Sequence, residues 1–264
     1  MLIDGKKIRD EILEELRPKF DGRGGATLAV IWVGDDPATA KFIEQKKKFA
    51  ALAGVELRLF EYEEGISQSE LEAEIRRLAL DDEINGIIVQ LPLPAAIDTG
   101  KVIELVPPEK DVDALGSQAL ILSPVVAAIA EILDRYDISF SKKFAVLGRG
   151  KLVGQPTALW LAQNGAPVTV ADSQTADLGA VTRGADVIIS GVGQPGLISP
   201  DMLKEEVVLI DAGTNEQAGK LAGDALPACA AKASLFTPVP GGVGPIVVAE
   251  LFKNLFLLTE RQPN

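Results

Sequence analysis

The stretch that most limits what this chain can fold into is residues 144–156, FAVLGRGKLVGQP. An apolar run delivers the backbone into Gly148, Arg149 and Gly150, then Gly154, and then into a sequence able to start a helix. Glycines at that point let backbone approach a pyrophosphate closely, and the N-terminus of the following helix favours its charge. The spacing is G-x-G-x-x-x-G, one residue longer than the commonest dinucleotide fingerprint, and a glycine-rich turn with no ligand has the same pattern. Context favours the dinucleotide reading. A second strand-like run, VTVADS (168–173), ends on Asp172, about where a carboxylate that binds a ribose diol is expected.

At 264 residues the chain is long enough for one large domain or two smaller ones. Its 26 basic and 38 acidic residues argue against a nucleic-acid or anionic-membrane partner. No window forms a long uncharged apolar span, and MLIDGKKIRDEI lacks the apolar core of a signal peptide, so a soluble, cytoplasmic protein is expected. Cys229 is the single cysteine and there is no histidine. A Ser-His-Asp triad, a Cys-His pair and an HExxH zinc site are therefore excluded, and no metal site is expected. Proton transfer must use Lys, Asp, Glu, Tyr, Cys or water.

Strand and helix patterns alternate along the chain, which predicts parallel βαβ units. Helix 4–17 precedes strand 27–34, helix 39–53, strand 55–62, helix 69–80 and strand 84–91. Helices near 99–106 and at 124–135 follow. The polar segment 134–143 reads as a boundary. Beyond it come strand 143–148, helix 154–164, and strands 167–172, 185–192 and 207–213, then TPVPGGVGP (237–245) and a last helix. The expected class is α/β with two domains: a catalytic domain over 1–137 and a Rossmann-type dinucleotide-binding domain with a mostly parallel sheet over 138–244. Ligand is expected at the carboxyl ends of the strands, between the two.

Three features outside the glycine turn are chemically unusual. At about 100° per residue, Phe42, Lys46, Phe49 and Ala53 share one face of helix 39–53, which puts Lys46 on an otherwise apolar stripe. A lysine among apolar groups has a lowered pKa and suits general-base work; a lysine whose stem packs while its ammonium reaches water has the same pattern. Gln90 closes an apolar strand just before LPLP, where it can bond a lysine, a heterocycle or water. In KDVDAL, Asp111 and Asp113 could recognise a donor-rich ring, cap a helix or, less readily without further ligands, bind a metal. The three prolines and three glycines of TPVPGGVGP build a stiff loop with close backbone approach.

Taken together, IDGK, VGDDPAT, the lysine-bearing helix, QLPLP, PEKDVD, GRG-x-x-VG-x-P and TPVPGGVGP resemble, almost end to end and in the same order, the bifunctional methylenetetrahydrofolate dehydrogenase/methenyltetrahydrofolate cyclohydrolase family. The resemblance implies a catalytic half rejoined by the last helix (245–264), a Rossmann half, and a homodimer formed through the nucleotide domains. It implies NAD(P)-dependent oxidation of 5,10-methylenetetrahydrofolate to the methenyl form and hydrolysis of that to 10-formyltetrahydrofolate. Lys46, Gln90 and Asp113 match the family's catalytic lysine, glutamine and pterin-binding aspartate. Phe42, Pro240, Gly241 and Gly242 fall at substrate-binding positions. Gly148, Arg149, Gly150, Gly154, Asp172, Ser173 and Thr214 fall at cofactor-binding ones.

The chain departs from the family pattern at several of these places. Phe42 replaces a tyrosine, which removes a hydroxyl from the proton path and leaves open a dehydrogenase-only or catalytically impaired member. Ala114 replaces a glycine and Val247 a threonine. Gly150 stands where the family has serine, and Asp172 where it has histidine. Arg149 and Ser173 favour NADP; Gly150 and Asp172 favour NAD, and the sequence leaves the two balanced.

Overall fold

The computed structural model describes residues 1–217 and 220–262. In chain order the elements are α1 (Gly5–Asp21), β1 (Thr27–Val33), α2 (Pro37–Ala53), β2 (Glu56–Tyr62), α3 (Gln68–Ala79), β3 (Gly86–Val89), α4 (Thr99–Ile103) and α5 (Pro124–Arg135). There follow β4 (Phe144–Leu147), α6 (Gly154–Gln163), β5 (Val168–Ala171), α7 (Leu178–Gly184), β6 (Val187–Ser190), β7 (Val207–Asp211), β8 (Asn215–Gln217), β9 (Lys220–Ala222), β10 (Ala233–Phe236) and α8 (Val243–Thr259). The chain divides into two compact units. One comprises Asp10–Pro124 with Val248–Asn264, the other Met1–Arg9 with Val125–Val247.

The first unit is built on a parallel sheet of order β2-β1-β3. Central β1 is buried along almost its whole length, as a strand covered on both faces must be. On one side α3 inserts Leu71, Ile75 and Leu78, all fully buried, against Ile31 and Ile87. Their spacing is that of a single helix face. Helix ends carry the expected chemistry. Asp36 caps α2 by accepting from Thr39 N at 2.7 Å, Gly54 ends it at φ +76°, and Ser67 with Glu70 forms a capping box on α3.

The second unit contains a five-stranded parallel sheet of order β10-β7-β6-β4-β5. Numbered by the succession of this sheet's strands alone, this is the doubly wound order 2-1-3-4-5, with its switch point between β4 and β6. Leu147 is level with Ala171 on one side and Ser190 on the other, and Ser190 is level with Asp211. The carboxyl ends of four strands therefore finish in register. Besides the three-residue strands β8 and β9, two elements of this unit carry no clear sequence signal. Helix α7 is seven residues long and ends on glycine, too short for a periodicity to stand out, and β10, ASLF, lacks the β-branched residues that mark β4, β5 and β6.

Close approach within the first unit depends on Gly86. A Cβ there would lie 2.6 Å from Leu255 Cδ1 and 2.7 Å from Val112 Cγ1. α8 and the segment around Val112 can pack on β3 only because no side chain intervenes. Gly86→Val is expected to destabilise the fold by about 1–3 kcal/mol through overpacking, read as a lower urea midpoint with unchanged slope.

Candidate functional site

In the first unit the apolar stripe of α2 runs out of the core. Ala53 and Phe49 are buried, Lys46 is half-buried, and Phe42, one turn earlier, is 55% exposed. Lys46 therefore sits where the stripe meets the surface. Its Nζ donates to Gln90 Oε1 at 2.6 Å. Gln90 follows β3 and is held by its own backbone, N–H to Ile31 O at 2.9 Å. Its amide is oriented too, because Nε2 donates to Leu91 O at 2.9 Å, which leaves the oxygen for the lysine. Burial lowers the Lys46 pKa below the ordinary lysine value; the negative charge of Asp113 opposes that shift without reversing it.

Asp113 lies on a segment fixed to the edge of β3. Ile87 N–H donates to Lys110 O at 2.7 Å, and Ile87 and Asp111 form an isolated parallel bridge. From α8, the buried Asn254 amide donates to Val112 O at 3.0 Å and Leu122 O at 2.9 Å. Asp111 is buried and accepts from Gly116 N–H at 2.8 Å, shaping the turn that presents Asp113. Desolvation raises the Asp113 pKa, and the positive charge of Lys46 pulls it the other way. Lys46, Gln90 and Asp113 thus come together as a half-buried amine, a fixed acceptor and a carboxylate. Lys47 is occupied elsewhere, paired with Glu44 at 2.8 Å.

In the second unit the glycine turn leaves β4 at the switch point. Gly148 has φ +98°, and its N–H donates to Ala171 O at 2.8 Å. A Cβ on Gly154 would overlap the Gly148 carbonyl, so the turn is tight because both positions are glycine. Among the described residues, no side chain caps α6 at Val153. An uncapped helix start behind a backbone cradle fits a dinucleotide pyrophosphate. Asp172 follows β5 directly. It accepts from Arg149 Nε at 2.6 Å and from Gln174 N–H at 2.9 Å. Ser173 and Thr214 are exposed at the same strand ends, and Gly150 has open space beside it.

Pro240, Gly241 and Gly242 also belong to this unit, in the turn before α8. Gly241 has φ +106° and accepts from Gly5 N–H at 2.9 Å, while Gly242 N–H donates to Pro238 O at 2.7 Å. A Cβ on Gly5 would overlap Gly242 O, so the IDGK segment and the proline-glycine loop are packed backbone to backbone.

Residues 3–113 match the model of the tetrahydrofolate dehydrogenase/cyclohydrolase catalytic domain, and residues 123–263 match that of its NAD(P)-binding domain. The chain belongs to the tetrahydrofolate dehydrogenase/cyclohydrolase family. The curated bifunctional protein FolD of Lactobacillus gasseri is 41% identical over 277 residues, covering 99% of this chain and 98% of that protein. A crystal structure of the bifunctional enzyme FolD, methylenetetrahydrofolate dehydrogenase/cyclohydrolase, from Campylobacter jejuni matches with TM-score 0.94 at 34% identity over 99% of each chain. The Trypanosoma brucei methylenetetrahydrofolate dehydrogenase-cyclohydrolase, complexed with NADP cofactor and inhibitor, matches with TM-score 0.92 at 31% identity over 99% of this chain and 97% of that one.

In this tetrahydrofolate dehydrogenase/cyclohydrolase chain, sequence reasoning missed a buried carboxylate pair beneath the strand ends. Asp224 accepts from Ser190 Oγ at 2.6 Å, Val192 N–H at 2.8 Å and Gln194 N–H at 2.7 Å, which fixes the loop after β6. Asp211, at the end of β7, accepts from Gly213 N–H at 3.0 Å and Ala225 N–H at 2.8 Å, and burial pushes its pKa up to about 6. A Cβ on Gly213 would overlap the Asp224 carboxylate, and one on Gly223 that of Asp211. The available signal was a polar residue closing an apolar strand, as at Gln90. Cys229, by contrast, is buried with its thiol pushed up to about 11, which removes it as a nucleophile at neutral pH.

The Asp111–Gly116 turn also explains why a glycine would suit position 114. Ala114 adopts φ +51°, a left-handed conformation that penalises a side chain. Ala114→Gly is expected to stabilise the protein by about 1 kcal/mol, seen as a higher thermal midpoint.

Proposed function

We propose that this chain oxidises 5,10-methylenetetrahydrofolate to the methenyl form with a nicotinamide dinucleotide and hydrolyses the product to 10-formyltetrahydrofolate. The observation that carries the reading is the half-buried Lys46, its Nζ 2.6 Å from an oriented Gln90 oxygen and electrostatically coupled to Asp113. Family membership supplies the substrate class. The Campylobacter jejuni protein named above is a bifunctional methylenetetrahydrofolate dehydrogenase/cyclohydrolase.

When bound, a nicotinamide dinucleotide supplies the hydride acceptor. The reacting carbon lies between two nitrogens, so loss of hydride leaves a resonance-stabilised cation, and the protein's main task in this step is positioning. Asp113 accepts two donors from the edge of the pterin ring and sets its orientation. The exposed Phe42 ring packs on the folate by stacking, a role that needs no hydroxyl. Pro240, Gly241 and Gly242 let backbone approach the substrate. Gly148, Gly150 and Gly154 receive the pyrophosphate, and Arg149, Asp172, Ser173 and Thr214 meet the remainder of the dinucleotide.

Hydrolysis needs a base. Water attacking the methenyl carbon must lose a proton, and neutral Lys46 accepts it. Gln90 takes one N–H of the amine and thereby aims the nitrogen lone pair. The family resemblance also motivates a homodimer paired through the nucleotide-binding unit and a cytoplasmic location. Among the described residues, no helix is long and apolar enough to cross a membrane.

The pH dependence follows from the direction of the lysine shift. The neutral amine is the active form, so its fraction, and with it the cyclohydrolase rate, rises as pH rises through the lowered Lys46 pKa and then levels off. Lys46→Arg is cationic at every accessible pH. It should lose about 10²–10⁴-fold in rate and lose the rising limb, with the fold preserved as judged by dinucleotide binding. Following the disappearance of the methenyl substrate at a series of pH values reads both effects; an identical profile in the variant would sink the assigned role.

A further inference from the structure

We infer that this chain selects NAD over NADP, and that the fixed negative charge of Asp172 at the end of β5 makes the selection. The inference rests on reading the second unit as a dinucleotide site; it is independent of the folate chemistry assigned to the first.

Asp172 sits beside the glycine turn because β4 and β5 are neighbours in register, with Leu147 opposite Ala171 and Gly148 N–H bonded to Ala171 O at 2.8 Å. The residue after β5 is therefore adjacent to the residues after β4, and an adenosine ribose reaching from the pyrophosphate cradle meets it. The aspartate is pinned from several directions. Its own N–H donates to Thr175 Oγ1 at 3.0 Å, Oδ1 accepts from Gln174 N–H at 2.9 Å, and Oδ2 accepts from Arg149 Nε at 2.6 Å. The Gln174 N–H and the Arg149 guanidinium hold its carboxyl below the usual carboxylate range.

Two consequences separate the cofactors. A 2′-phosphate would have to lie against a fixed carboxylate, and the guanidinium that could balance it already serves that carboxylate. A 2′-hydroxyl, by contrast, is a donor, and each carboxylate oxygen keeps a lone pair to accept it. The ion pair itself is a weak part of the barrier: Arg149 is 65% exposed and can swing away at little expense. Asp172 cannot follow, because its backbone bonds remain. Position 150 adds to the effect. Gly150 offers no hydroxyl to a phosphate, although a Cβ there would meet nothing within 4 Å.

The test is direct binding to the full chain without folate, titrating NADH and NADPH separately and following nicotinamide fluorescence. NADH is expected to bind at least about tenfold more tightly, the scale of one lost or gained charge contact. Asp172→Asn keeps the shape and the Gln174 contact, and should move the NADH/NADPH affinity ratio at least about tenfold toward NADPH. Adding Gly150→Ser, for which there is room, should move it further in the same direction. Equal or tighter NADPH binding by the unaltered chain would overturn the inference, as would a ratio that Asp172→Asn leaves unmoved or failure of NADH to bind. A protein that prefers NADH but turns over no folate would uphold the inference while refuting the folate reading. NADPH binding tighter than NADH, with intact folate turnover, would do the reverse.

Discussion

The proposed chemistry depends on keeping an amine partly out of water without leaving it unpartnered. Lys46 is carried there by the same helical periodicity that buries Phe49 and Ala53. An ammonium in that setting loses hydration, which favours the neutral form; a buried amine with no acceptor would also be costly. Gln90 resolves the conflict. Its oxygen accepts from the lysine in either protonation state, and because it is uncharged it does not restore the preference for the ammonium as a carboxylate would. Asp113 does pull in that direction, and burial outweighs it.

In both units, residues of the proposed sites lie at the carboxyl ends of parallel strands. In the first, Gln90 follows β3 and the Asp113 segment is bonded to the same strand. In the second, four strands end level, so Gly148, Asp172, the loop after β6 and the segment after β7 form one edge. The Asp211–Asp224 pair supports that edge from below by taking up backbone N–H groups that the loops would otherwise leave unsatisfied. Glycines at 213 and 223 make room for the carboxylates.

What the sequence showed and what it hid follow from the range of the interactions. The apolar strands, the glycine turn and the Lys46 stripe are set by neighbours within one or two turns, and each lies where the local pattern placed it. Gln90 was visible as a polar residue closing an apolar strand, but its bond to Lys46 joins β3 to α2 and depends on tertiary packing. Asp211 had the same local signal and was passed over. Its meaning depends on the register of β7 against β6 and on a partner, Asp224, beyond an intervening hairpin. The strained Ala114 was legible only as an exchange of alanine for glycine; the positive φ that gives the exchange a physical consequence arises from the turn around Asp111. Short α7 carries too few residues to show a period, and β10 lacks the β-branched residues that mark β4, β5 and β6.

Whether Lys46 is poised to be neutral can be read from a site-resolved NMR titration of its side chain. Its pKa is expected below the ordinary 10.5, and higher in Gln90→Glu, where a carboxylate would favour the ammonium. A Lys46 that titrates at or above the ordinary value in the unaltered protein would contradict that expectation.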